Sequence, residues 1–144
     1  MIYLSTQGRD TLDESRSVEN YELATACLIK LLKAGYKVVC PSVSDRVIFN
    51  HGLTEGWDSE GLRDELIKGC SGVIIVMSER WQADATILHD IRCATKYAKP
   101  TFYLEPDEFA DNPKMLYCQI VEEMSHAKHL PKDAPAATPE TACV

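Results

Sequence analysis

The 144-residue sequence predicts an α/β domain, a parallel sheet covered by helices on both faces. Two observations carry this. Strand-like and helix-like segments alternate along the chain. In addition, Val73-Ile74-Ile75-Val76-Met77 is apolar at every position, as a strand at the centre of a parallel sheet must be. The length suits one domain with a substantial core. Residues 1–130 read as that domain. Residues 131–144 carry Pro131, Pro135 and Pro139 among Ala and Thr and read as a disordered tail.

The elements follow in order. Residues 1–5 read as a short buried strand, followed by the polar loop 6–11. Tyr21, Ala24, Leu28, Leu31 and Leu32 recur at three and four, which predicts a helix. Ser17 is its expected N-cap and Gly35 its stop. Residues 36–40 read as a strand ended by Pro41. Val43, Val47 and Ile48 suggest a short helix before the Gly52 to Gly56 loop. Residues 58–68 predict a helix, and residues 85–98 another, with Ile87, Ile91, Ala94 and Ala98 as its core stripe. Residues 101–104 read as the next strand, and 113–128 as a last helix.

Composition narrows the function. Fifteen Lys and Arg against 22 Asp and Glu give a net charge of −7, which argues against polymeric nucleic acid as a partner. No apolar run approaches the roughly 20 residues of a membrane span. The start of the chain lacks a basic, then apolar leader, so a cytoplasmic protein is expected. The six cysteines form no C-x-x-C pair, and four fall in apolar segments where a thiol acts as a small hydrophobe. Neither disulfides nor a metal site are expected.

In a parallel sheet, ligands bind beyond the carboxyl ends of the strands. That points to loops 5–11, 41–45 and 78–84. The first brings Ser5, Gln7, Gly8 and Arg9 forward as substrate-binding candidates. Ser44 and Ser78 also lie at strand ends, where hydroxyls bind ligands or simply make turns. Neither G-x-G-x-x-G nor G-x-x-x-x-G-K occurs, so no dinucleotide or P-loop chemistry is indicated. Trp57 and Trp81 flank the expected cleft in sequence and either stack on a base or pack. Asp90 falls about 70° from the middle of the apolar arc of its helix, at its edge. A carboxylate there is paired with a neighbour or faces a wet cleft. Asp84 precedes the same helix, where Asp is a preferred N-cap. Asp64 lies opposite Leu62, on what reads as a solvated face.

These residues, taken together, resemble a family. Ile2-Tyr3-Leu4-Ser5 is similar to the opening of the nucleoside 2-deoxyribosyltransferase superfamily. Gly35-x-x-Val38-x-x-Pro41 resembles its helix–strand–proline segment. Asp64, Ile67 and Cys70-Ser71 resemble its D-x-x-I-x-x-C/S-D block, with Ser71 where Asp is usual. The stretch from Asp84 to Asp90 is similar to its D-x-G-x-x-x-E motif, followed by Ala94 and Lys99-Pro100. Trp57, seven residues before Asp64, and Trp81 look most like a small, poorly characterised bacterial and phage branch. The likeness spans residues 1–104.

The resemblance implies a flavodoxin-like three-layer sandwich with four to five parallel strands. It implies cleavage or transfer at the N-glycosidic bond of a nucleoside or nucleoside monophosphate, without cofactor or metal, in a homo-oligomer. By position, Asp90 would attack C1′ of the sugar and Tyr3 would orient it. Asp84 would bind sugar hydroxyls or assist proton transfer, and Asp64 would contact the base and support leaving-group protonation. Retaining glycosyl transfer needs such a carboxylate on one face and proton delivery to the departing base. Arg9, Arg46 and Arg80 offer charge for a 5′-phosphate. Two departures stand out: Asp90 replaces the family's Glu and is one methylene shorter, and Thr86 replaces the motif glycine. They open an alternative, a catalytically degenerate nucleotide-binding protein of the same fold. A third reading is a structural module whose acidic residues are all surface charge.

Overall fold

The structure, a computed structural model, describes residues 1–10, 12–53 and 55–111. The expected helix 113–128 and the tail 131–144 lie outside the described residues, as do Cys118, His126, His129 and Cys143.

Strand β1 (Ile2–Ser5) is followed by helix α1 (Glu14–Lys33), β2 (Val38–Val39), α2 (Pro41–Asn50), α3 (Ser59–Gly69) and β3 (Gly72–Val76). After a 3-10 turn (Trp81–Ala83) come α4 (Ala85–Lys96), β4 (Thr101–Leu104) and the short α5 (Glu108–Asp111). The four strands form one sheet in the order β2-β1-β3-β4, and every pairing is parallel. Ile2 pairs with Val38 on one side and with Gly72 on the other. The chain leaves β1 toward β2 and later returns to the opposite side with β3. The order therefore reverses at β1, the point where a doubly wound sheet opens a crevice. This is the α/β, flavodoxin-like three-layer arrangement.

Alternation along the strands divides the core. Ile2, Leu4, Ile74, Val76 and Phe102 face one side, packed with Ala24, Cys27 and Leu31 of α1 and Phe109 of α5. Tyr3, Val73, Ile75 and Tyr103 face the other, against Ile67 of α3 and Ile87 and Ala94 of α4. Each fully buried Ile or Leu contributes about 1.5–3 kcal/mol.

Helix ends follow local chemistry. Asp84 caps α4 by accepting from the Ile87 N–H, and Asp58 caps α3 by accepting from that of Gly61. Pro41 does not merely end β2. It opens α2 at N1, where its missing N–H costs nothing. The N-cap of α1 is Asp13, which accepts from Arg16 N, and not Ser17. Ser17 is buried inside the first turn because its hydroxyl is spent on Asp10, donating to the carbonyl and accepting from the N–H. Leu32 was expected inside but is 48 % exposed, and Cys27 takes its place on the stripe of Ala24 and Leu31.

Three helices end in the same way. After α1, Gly35 N–H reaches Leu32 and Tyr36 N–H reaches Leu31. After α2, Gly52 reaches Phe49 and Leu53 reaches Ile48. After α4, Ala98 reaches Thr95 and Lys99 reaches Ala94. These are Schellman motifs, whose pivot residue takes the left-handed conformation. Gly35 and Gly52 take it freely, but Ala98 takes it at φ 51° with a Cβ. Ala98 therefore leaves the helix instead of completing its core stripe. No helix among the described residues is long and apolar enough to cross a membrane.

Candidate functional site

A cleft of about 200 Å³ opens beyond the carboxyl ends of β1 and β2. Gln7, Gly8 and Arg9 line it from the loop after β1. Ser42, Asp45, Arg46, Ile48 and Phe49 line it from α2. Ser17 and Tyr21 of α1, with Trp57 and Ser59 at the entry to α3, complete it. Two of the three loops expected at the site, 5–11 and 41–45, contribute to this lining. Loop 78–84 does not, although the Gln7 side-chain amide donates to the Glu79 carbonyl and ties it to the first loop.

The cleft carries charge of both signs. The Arg9 guanidinium lies 3.7 Å from the centre of the Phe49 ring, a cation–π stack. Arg46 sits 5.8 Å from the same ring and pairs with Glu14 at 2.8 Å. Arg46 Nη1 is buried and has no hydrogen-bond partner among the described residues. Asp45 accepts from the Trp57 indole N–H at 3.0 Å, from Ser59 Oγ at 2.9 Å and from Arg63 Nη2 at 2.7 Å.

Arg63 joins this surface to the core. It occupies the inward stripe of α3 with Ile67, one turn away, and is 3 % exposed. All five of its N–H donors have a place to go. Nε donates to Ser59 Oγ, Nη2 to Ser42 Oγ and Asp45, and Nη1 to Tyr3 Oη and Asp90 Oδ2. The three hydroxyls can accept because their own protons are directed elsewhere. Ser59 donates to Asp45, Ser42 to the Thr6 carbonyl and Tyr3 to Asp90.

Asp90 sits behind Arg63. It is 0 % exposed, on the buried side of α4 with Ile87 and Ala94, and not at the edge of the stripe. The stripe is centred nearer Asp90 than the spacing suggests, because Ile91 is only partly buried and Ala98 has left the helix. Oδ1 accepts from Tyr3 Oη at 2.9 Å, and Oδ2 from Ser5 Oγ at 2.6 Å and Arg63 Nη1 at 3.2 Å. Burial pushes the Asp90 carboxyl above its ordinary range, opposed first by Arg63 and then by the two hydroxyls. Burial and the neighbouring Asp90 also raise Tyr3, while Arg63 works against them. Burial would lower Arg63, but Tyr3, Asp90 and Asp45 overcome it and raise the guanidinium.

The remaining candidates are dispersed. Tyr3, Ser5 and Asp90 come together in the core, while Gln7, Gly8, Arg9 and Trp57 come together at the cleft. Trp81 packs on Tyr103, with ring centres 5.7 Å apart, and does not line the cleft. Asp84 is engaged as the cap of α4. Asp64 faces α4, where it accepts from Tyr97 Oη at 2.8 Å and Cys93 Sγ at 3.4 Å. The Tyr97 hydroxyl chiefly holds Asp64 below the usual carboxylate range. Burial, with Asp64 beside it, pushes the Cys93 thiol up to about 11. Arg80 and Ser44 are exposed outside the cleft lining, and Ser42 is the α2 hydroxyl that faces it. Thr86 stands against Gly8, where any Cβ would lie 2.6 Å from the threonine Oγ1. The pair is complementary: the branched side chain fits because the loop residue has none.

Sequence reasoning missed Arg63 and Asp45. Both had a signal. Arg63 lies four before Ile67 and seven before Cys70 on one helical face, and Ser42, Asp45 and Phe49 share another. Among the described residues, no group of three His, Cys, Asp or Glu side chains is arranged to hold a metal ion. No family model, curated protein or solved structure matches this chain.

Proposed function

We propose that the chain binds a nucleoside or nucleoside monophosphate in the cleft, and that Asp90 serves the fold instead of attacking the sugar. The burial of Asp90 carries this reading. A nucleophile must come within about 3–3.5 Å of the carbon it attacks. Asp90 is 0 % exposed, is not part of the cleft lining, and has three donors on its two oxygens. Asp90 is one methylene shorter than the Glu of the family that the sequence resembles, and its carboxylate sits among Tyr3, Ser5 and Arg63. The cleft itself retains what a nucleotide needs. Trp57, Tyr21 and Phe49 supply aromatic surface, Arg9 and Arg46 supply charge for a phosphate, and Ser42 and Asp45 supply polar contacts. No cofactor enters this reading, and a cytoplasmic homo-oligomer remains part of it.

A second reading, cleavage or transfer at the N-glycosidic bond, is favoured by one contact. Tyr3 Oη donates to Asp90 Oδ1 at 2.9 Å, the pairing that the family resemblance implies for an oriented nucleophile. In that reading Arg63 swings aside and the Asp90 carboxylate bonds to C1′ as the C1′–N bond breaks and the base departs with a proton from solvent; water or a second base then resolves the glycosyl-enzyme and frees Asp90.

The test combines base release, followed by chromatography, with thermal shift over deoxy- and ribonucleosides and their monophosphates. Saturable stabilisation without base release, with or without an acceptor base, is the expected result. Asp90→Glu, which restores the reach of the longer acid, is expected to create or raise release. Release by the unmodified chain that vanishes in Asp90→Ala would establish the second reading instead. Tighter binding of nucleosides than of their monophosphates would remove the phosphate role of Arg9 and Arg46.

A further inference from the structure

We infer that Asp45 sets the base preference of the cleft, accepting a hydrogen bond from an exocyclic amino group and disfavouring bases that present a keto oxygen there. The inference rests on the nucleotide-binding reading and adds the class of base to it.

Asp45 is the carboxylate among the residues that line the cleft, and its side chain is 28 % exposed. A carboxylate offers about four acceptor positions, two on each oxygen. Oδ2 takes Ser59 Oγ and Arg63 Nη2, whereas Oδ1 takes the Trp57 indole N–H. Among the described residues this leaves Oδ1 room for one more donor. Those same contacts hold the carboxylate in place, so a ligand meets an acceptor that is already oriented.

Trp57 says which part of the ligand arrives. Trp57 lines the cleft and is 38 % exposed as a residue, while its indole N–H is committed to Asp45. A base stacked on that ring has its edge beside Asp45. The cationic part of the lining, Arg9 and Arg46 around Phe49, suits the phosphate. Base edges then sort by chemistry. An amino group gives its N–H to Oδ1. A keto oxygen sets acceptor against acceptor and leaves both short of a donor, which a partly desolvated site penalises.

Isothermal titration of the full chain with two matched pairs tests this: cytidine against uridine monophosphate, and adenosine against inosine monophosphate. The amino member of each pair is expected to bind about ten- to a hundredfold tighter, the range for a hydrogen bond to a charged group. Asp45→Asn, whose amide can also donate, is expected to collapse or invert that preference. Asp45 also anchors Arg63, so the variant can lose stability. The pairwise comparison on the unmodified chain stands without it. Equal affinity within both pairs, or tighter binding of the keto member, overturns the inference and leaves the binding reading in place. So does an amino preference that survives Asp45→Asn unchanged, because the selecting group then lies elsewhere. Absence of binding by all four ligands overturns the binding reading together with the inference.

Discussion

Arg63 has five acceptors for its five N–H donors, and each is a side chain of β1, α2, α3 or α4. A buried ion pair gains little over a well-packed apolar pair, but breaking one partner away leaves a charge stranded. Arg63→Met is therefore expected to cost about 3–5 kcal/mol, read from urea unfolding. Adding Asp90→Leu to that variant removes the stranded carboxylate and is expected to recover most of the loss. If the two losses simply add, the pair is not the unit described here. Asp84 provides a contrast. Its side chain accepts from the Ile87 N–H, and capping fully accounts for its position.

Among the elements, α4 carries the most information. It delivers Asp90 to the core from its first half and ends on a Schellman motif pivoting at Ala98. A left-handed conformation costs a residue with a Cβ about 1–2 kcal/mol. Glycine removes that cost but loses more entropy on folding. Ala98→Gly is thus expected to stabilise the chain by about 1 kcal/mol, seen as a higher urea midpoint at unchanged slope. Ala98 is exposed, so the change disturbs no packing. A lower midpoint would mean that the turn is not left-handed in solution. Helix α2 shows how a breaker becomes an opener. Pro41 stops β2 and starts the helix that places Ser42, Asp45 and Arg46 along the cleft.

At the scale of the whole molecule, one contact between α3 and α4 contributes to stability in acid. Tyr97 holds Asp64 below its ordinary range, with Cys93 adding to the effect. A depressed carboxylate binds fewer protons folded than unfolded in that window, so stability falls as pH falls. The contribution is complete above the ordinary Asp value of about 4 and disappears as pH drops through the lowered one. Tyr97→Phe removes the main cause. The dependence of the unfolding midpoint on pH is therefore expected to be shallower in that variant between about pH 5 and pH 2. Parallel slopes would show that Asp64 gains nothing from Tyr97.

The alternation of strands and helices, the apolar run at 73–76 and the stops at Gly35 and Pro41 were legible from the residues, because period and backbone chemistry act locally. They were enough for an α/β sheet with helices on both faces, and the sheet placed the cleft beyond its carboxyl ends. Asp90 drew notice as a carboxylate beside an apolar stripe. Its full burial depends on Tyr3, Ser5 and Arg63, which lie 87, 85 and 27 residues away. Asp45 and Arg63 drew no notice in the sequence. Only the packing of α2 and α3 against β1 and α4 turned them into a network between cleft and core, since a side chain's partners across the fold leave no mark on its own helix.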